Sequence, residues 1–272
     1  MHQPPQLEYK FMVDAAQIPL LTAAQVAQEA HVQQAPNGIF YASFGETNIA
    51  PEDLERVVQA VPAVVAHALT RRAWYFVPLA IGEDDETTVA PAYNIDLGDR
   101  AICHRNVSFG SSDFTFISTR LMQDRFALAF EYFINVAHQF VQAVGVPETF
   151  SDLAWSQVKA DVRGETSQDA WESRRRTRER SRPHEAAGPE LVTEAREHVD
   201  EKARTAYFQA AFSDALAIYM LALTIDFDYA DLREREYPLL AAPALAERLR
   251  HVAGLFPANA GYEFEIRYRR RG

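Results

Sequence analysis

From Leu121 to Val144 the chain runs through one helical period with no glycine or proline, then stops at Gly145-Val146-Pro147. Glycine followed by proline is the usual end signal of a helix. A helix this long needs a large apolar surface to lie against. It commits the second half of the chain to helical packing. A second long helix is expected from about Val192 to Thr224, through AYFQAAFSDALAIYMLAL. It is the most apolar segment and is placed at the centre of the core. Between the two, Ser151 is expected to cap a helix from Leu153 to Arg163, with Asp152 in its first turn. Residues 172–190 (ESRRRTRERSRPHEAAGPE) are charged and lack apolar periodicity. They read as an exposed connection, with a basic contact site as the alternative. Leu245 to Leu255 forms the last helix, and Tyr262 to Arg271 alternates like a terminal strand.

The first half reads differently. Thr22 is positioned to cap a short helix through AAQVAQEAH. Ile39 to Phe44 reads as a strand after the Asn37-Gly38 turn. Asn48 to Pro51 opens a helix that Pro62 should kink or split. Ala73 to Ile81 (AWYFVPLAI) reads as one buried strand. Further strands are expected over Thr87–Tyr93, Ala101–Val107 and Asp113–Ser118. The fold class is therefore α+β, with a mixed sheet and helices in the N-terminal half and a helical C-terminal half. Residues 1–36 read as an N-terminal extension. Residues 37–272 form a single domain, with the sheet part at 37–120 and the helical part at 121–272.

The net charge of −11 disfavours nucleic-acid and anionic-membrane binders, which need a positive field. No apolar run approaches the ~20 residues needed to span a bilayer. The segment MHQPPQLEYKF has no basic and apolar leader pattern. Cys103 is the single cysteine and reads as a small buried strand residue. These features point to a cytoplasmic protein.

Four polar residues interrupt the apolar pattern of the first long helix: Glu131, Asn135, His138 and Gln142. Their spacings of 4, 3 and 4 put them on one face. The other faces carry Phe126, Leu128, Phe130, Phe133, Ile134, Phe140 and Val141. A polar stripe on such a helix must meet water, a polar partner or a site, since an unpaired buried polar group costs about 1–3 kcal/mol.

The stretch His138-Gln139-Phe140-Val141-Gln142-Ala143-Val144-Gly145 resembles the zinc-binding helix of the zincin metallopeptidases. That helix carries His-Glu-x-x-His, two metal ligands one turn apart with a general base after the first. Downstream, Gln157-Val158-Lys159-Ala160-Asp161 resembles the Glu-x-x-x-Asp helix of the gluzincin branch. There the glutamate is the third ligand and the aspartate supports a ligand from behind. The order of elements also fits: strands, an edge strand, the site helix, a short break and the third-ligand helix. The resemblance implies a zincin-like fold over roughly residues 40–230.

The likeness also implies lost chemistry. Gln139, Gln142 and Gln157 stand where the family has a base and two ligands. A neutral amide cannot take a proton, and general acid–base help is worth ~10²–10⁴ in rate. Amide oxygens are weak zinc ligands. The expectation is a catalytically inactive metallopeptidase-like protein without zinc. His138, Gln139, Gln142, Gln157, Asp161, Glu131 and Asn135 would line a polar cleft for a peptide or protein partner.

Two other readings stay open. One is an active metal-dependent hydrolase whose ligands are His138 with Glu131, Asp161 or Glu165, the last two one turn apart on the second helix. The other is a structural or interaction protein with no site. A carboxylate-bridged bundle drawing on Asp200, Glu201 or Asp214 lacks the Glu-x-x-His pair that such sites use. No nucleophile elbow or phosphate-binding glycine loop occurs. The acidic run Asp226, Asp228 and Asp231 lacks the glycine and distal glutamate of a calcium loop.

Overall fold

The computed structural model describes residues 19–83, 86–122, 124–179, 199–232 and 236–267. It is an α+β structure with two sheets. The larger sheet holds β2 (Gln33–Gln34), β3 (Phe40–Ser43), β4 (Arg72–Val77), β9 (Ser112–Ser118) and β8 (His104–Phe109), in that order. β3, β4 and β9 run parallel, while β2 and β8 lie antiparallel at the edges. The smaller sheet is wholly antiparallel: β1 (Leu21–Thr22), β6 (Glu86–Ala90), β5 (Leu79–Glu83) and β7 (Ala101–Ile102).

Alternation along the central strands decides what covers each face. Tyr41, Trp74, Phe76 and Ile117 join the main core with the helices. Ala42, Tyr75, Val77 and Phe116 join a second core with Val26, Ala80 and Val89, under the small sheet and the helix α1 (Ala23–Glu29). Strand β4 is thus buried on both sides, which explains its unbroken apolar run. The parallel crossover from β3 to β4 carries α2 (Pro51–Gln59) and α3 (Ala63–His67), split at Pro62 as expected.

Several expectations need correction. AWYFVPLAI is two strands in two sheets. Pro78 has no N–H to continue the ladder, and the chain turns there. Ser118 ties the sheets together, accepting from Ala80 N at 2.7 Å and donating to the Ile102 carbonyl at 2.5 Å. Ala101–Val107 likewise divides at Cys103, which is exposed rather than buried. Residues 19–36 are not an appendage: Thr22 forms a capping box on α1, and β1 and β2 pair into the two sheets. Residues 262–267 form no strand, yet Phe264 meets the Tyr219 ring edge-on and Ile266 packs on the core.

The second half is helical: α4 (Arg125–Val144), α5 (Glu148–Lys159), α6 (Gln168–Glu179), α7 (Glu201–Ala222) and α8 (Ala242–Leu255). Asp124 caps α4 at Ala127 N, 2.7 Å. Pro147 and not Ser151 begins α5, and the Ser151 hydroxyl donates back to the Pro147 carbonyl. Apolar α7 is central and packs most extensively on α4 and α6. Phe212 of α7 meets Phe140 of α4, Phe150 of α5 and Phe256 just beyond α8. Residues 172–179, expected as exposed connection, lie in α6, where Arg174 and Thr177 are buried. The remainder of that segment, 180–190, lies outside the described residues, as do 192–198 of the expected long helix and 268–271 of the expected terminal strand.

Candidate functional site

The stripe on α4 exists as a connected feature. Asn135 donates to the Glu131 backbone carbonyl at 2.8 Å and to its Oε1 at 3.3 Å. The same Oε1 lies 2.6 Å from His104 Nδ1 on the edge strand β8. One turn on from Asn135, His138 and Gln142 line a cleft of about 360 Å³ between α4, α6 and α7. Its other walls include Asp169, Glu172 and Arg176 of α6 and Gln209 of α7. Glu172 is held on both oxygens, by Gln168 at 2.9 Å and by Arg176 at 2.7 Å.

His138 remains reachable from solvent, but the protein around it desolvates the ring and lowers its pKa. Nearby His104 lowers it further, while Asp169 and Glu131 oppose the shift. The imidazole is therefore neutral near pH 7 and offers one donor and one acceptor.

Gln139 does not share this cleft. It is buried, and its Oε1 has no hydrogen-bond partner among the described residues. A residue one step along a helix from His138 is turned by about 100°, enough to carry it out of the cleft.

Gln157 belongs to a different constellation. Its Nε2 donates to the Ala244 carbonyl at 3.2 Å and to Glu247 Oε2 at 3.0 Å, and its Oε1 accepts from Arg248 Nε at 2.8 Å. None of these partners lines the cleft of His138 and Gln142. The Arg248 guanidinium is fully buried. It donates to Glu165 Oε2 at 2.9 Å and to the Tyr207 hydroxyl at 2.9 Å. Glu165 is also fully buried, and its Oε1 accepts from Tyr207 at 2.9 Å and from Arg174 Nη1 at 3.0 Å. Arg174 also donates to the Gly164 and Val162 carbonyls. Burial pulls the Arg248 pKa down, but Glu165 and Tyr207 outweigh it and leave it raised. Burial also lifts the Tyr207 hydroxyl well above its ordinary value. A buried ion pair is tolerable only when its polar atoms find partners, and no buried side-chain nitrogen or oxygen of Glu165, Arg174 or Arg248 is left without one.

The loop after α5 builds this network. The helix stops at Lys159, and Asp161 takes a left-handed conformation with φ 55°. Short polar side chains tolerate that region best. Gly164 has φ +82°, and any Cβ there would overlap the Leu239 carbonyl oxygen. The close approach lets Glu165 pair with Leu239 as an isolated parallel bridge and drives its carboxylate inward. Asp161 and Glu165 therefore do not lie one turn apart on a helix. Glu165 is committed to two arginines and a tyrosine. Among the described residues no three His, Cys, Asp or Glu side chains are grouped as a metal ion would require. Asp214, one residue beyond the cleft-lining Ser213, accepts from Thr166 at 2.7 Å, and burial raises its pKa to about 6.

Comparison with protein-family models, with curated proteins and with solved structures finds no match.

His104 was invisible as a partner in the sequence. Beside Cys103 on a strand it should point away from that thiol, and nothing along the chain places it against Glu131. Cys103 itself is a poor nucleophile candidate: desolvation and then Glu131 raise its pKa, the wrong direction for a reactive thiolate. Arg174 and Arg248 are hidden in the sequence for a similar reason, and Glu165 stands out there only as a possible metal ligand, not as the centre of an ion-pair network. Glu165 and Arg248 are 83 residues apart. The one local hint is Gly164 immediately before Glu165.

Proposed function

We propose that this chain is a non-catalytic binding protein. Its α4 cleft and the adjoining edge of β8 take an extended segment of a peptide or protein partner. The observation that carries this reading is the polar stripe that begins at the His104–Glu131 contact and ends at His138 and Gln142 in an open cleft. Strand β8 pairs only with β9 among the described residues, so its outer edge presents backbone donors and acceptors. Extended peptides add to such edges, with side-chain pockets supplying specificity. His138, Gln142 and Gln209 offer neutral hydrogen bonds, and Asp169 adds negative charge at the cleft wall.

The neutral His138 ring suits hydrogen bonding to a peptide amide or hydroxyl.

A random heptapeptide library displayed on phage and panned on the protein tests the reading. Selected peptides are expected to slow amide exchange over residues 104–109. His138→Ala or Gln142→Ala should weaken them about tenfold, the scale of one good hydrogen bond with its desolvation. Peptides that bind His138→Ala unchanged and protect none of β8 would contradict the proposal. Near-stoichiometric zinc in protein purified without added metal would return the chain to the hydrolases.

A further inference from the structure

A second and larger cavity, about 600 Å³, opens at the other end of α4. It sits beyond the carboxyl ends of β3, β4 and β9: Thr47 follows β3, Phe76 is near the end of β4, and Thr119 follows β9. The first turns of α2 and α4 and the residues just after α7 close it. Crevices at the carboxyl ends of parallel strands are where open α/β sheets hold ligands. Its volume falls in the ~300–1,000 Å³ range of small-molecule pockets.

The lining divides into two parts. Leu54, Val57, Phe76, Met122, Leu128 and Ile225 form an apolar body. Arg56, Arg120, Arg125, Asp53 and Asp124 supply the charges. Arg125 pairs with Asp53 at 2.5 Å, and Asp124 is used as the α4 cap. Among the described residues Arg56 and Arg120 have no carboxylate partner, and Arg120 lies over the Tyr93 ring at 5.3 Å. A cavity with a cationic excess stands out in a chain of net charge −11. The wall is also braced: Thr119 Oγ1 donates to the Thr47 carbonyl at 2.9 Å, and Asn48 holds φ 60°. Positive φ at a non-glycine residue is uncommon and costs free energy.

We infer that this cavity binds a small amphipathic monocarboxylate, its chain against Phe76, Leu128 and Ile225 and its carboxylate on Arg120 and Arg56. The site is separate from the α4 cleft, and the inference does not depend on the reading given for that cleft.

Isothermal titration calorimetry with decanoate below its critical micelle concentration tests it, with 1-decanol as the uncharged control. Decanoate should give a saturable one-to-one isotherm and decanol a weaker one. Arg120→Ala should cost decanoate about tenfold, as expected for one charged hydrogen bond, and leave decanol unchanged. Leu128→Trp fills the cavity and should abolish both; Ile225→Trp does the same from the segment after α7 if the first variant folds poorly. His138→Ala should have no effect. No saturable decanoate binding, binding that survives both tryptophan variants, or equal affinity for decanol and decanoate overturns the inference.

Discussion

Two polar constellations share the helical half of this protein, and they are built on opposite terms. Around Glu165 the groups are buried and hydrogen-bonded: two arginines and a tyrosine converge on one carboxylate, and a glutamine accepts from one of the arginines. Along α4 the groups are strung out toward solvent: a glutamate meets a histidine on an edge strand, then a histidine and a glutamine open into a cleft. The first arrangement has few donors or acceptors left for a visitor. The second has them to offer. Polar residues on apolar helices look alike in sequence, and the difference lies in whether the fold satisfies them.

The comparison breaks first if Glu165 is dispensable. Glu165→Ala should lower unfolding free energy by about 3–5 kcal/mol, because it strands Arg174 and Arg248 in the core. Urea denaturation checks this. A loss below about 1 kcal/mol, the value of a surface pair, would show the network to be ornamental.

Asp214 sharpens the picture through pH. Its carboxyl binds a proton more tightly folded than unfolded, since burial raises it from 3.8 to about 6. Its contribution to stability is complete below the unfolded value and is lost as pH rises through about 6. Asp214→Asn should therefore gain on the parent chain between about pH 4 and pH 8, by roughly 2–3 kcal/mol. Thermal unfolding across that window measures it. A parent chain that gains on the variant as pH rises contradicts it.

Gln139 should behave as a core residue. Gln139→Leu removes a buried, unpartnered amide oxygen and is expected to be neutral or stabilising by about 1 kcal/mol. A clear loss of stability would mean that the amide has a role the packing does not reveal. The smallest effect is reserved for the cleft: His138→Ala should change stability by less than about 0.5 kcal/mol while weakening ligands of the cleft.

Much of the architecture was legible. The Asn37-Gly38 turn marked β3, a strand was expected at β9, the Thr22 cap and Pro62 break were readable, and the stop at Gly145 ended α4 as expected. The stripe was legible because helical spacing alone puts Glu131, Asn135, His138 and Gln142 on one face. What it faced was not. Proline at 78 was absorbed into one apolar run, because burial in two sheets gives the same composition on both sides of the turn. Arg174 looked solvated inside a run of arginines, yet it is buried because Glu165 waits for it across a loop. Asp161 looked like a helical support residue but ends the helix, a role fixed by the tight approach at Gly164.

The separation of the two constellations can be measured directly with double-mutant cycles on urea stability. Gln157→Ala and Arg248→Met should couple by about 0.5–3 kcal/mol, as contacting residues do, while Gln157→Ala and His138→Ala should add to within about 0.3–0.5 kcal/mol. A coupling of 1 kcal/mol or more between Gln157 and His138 would place both in one pocket and contradict the division drawn here.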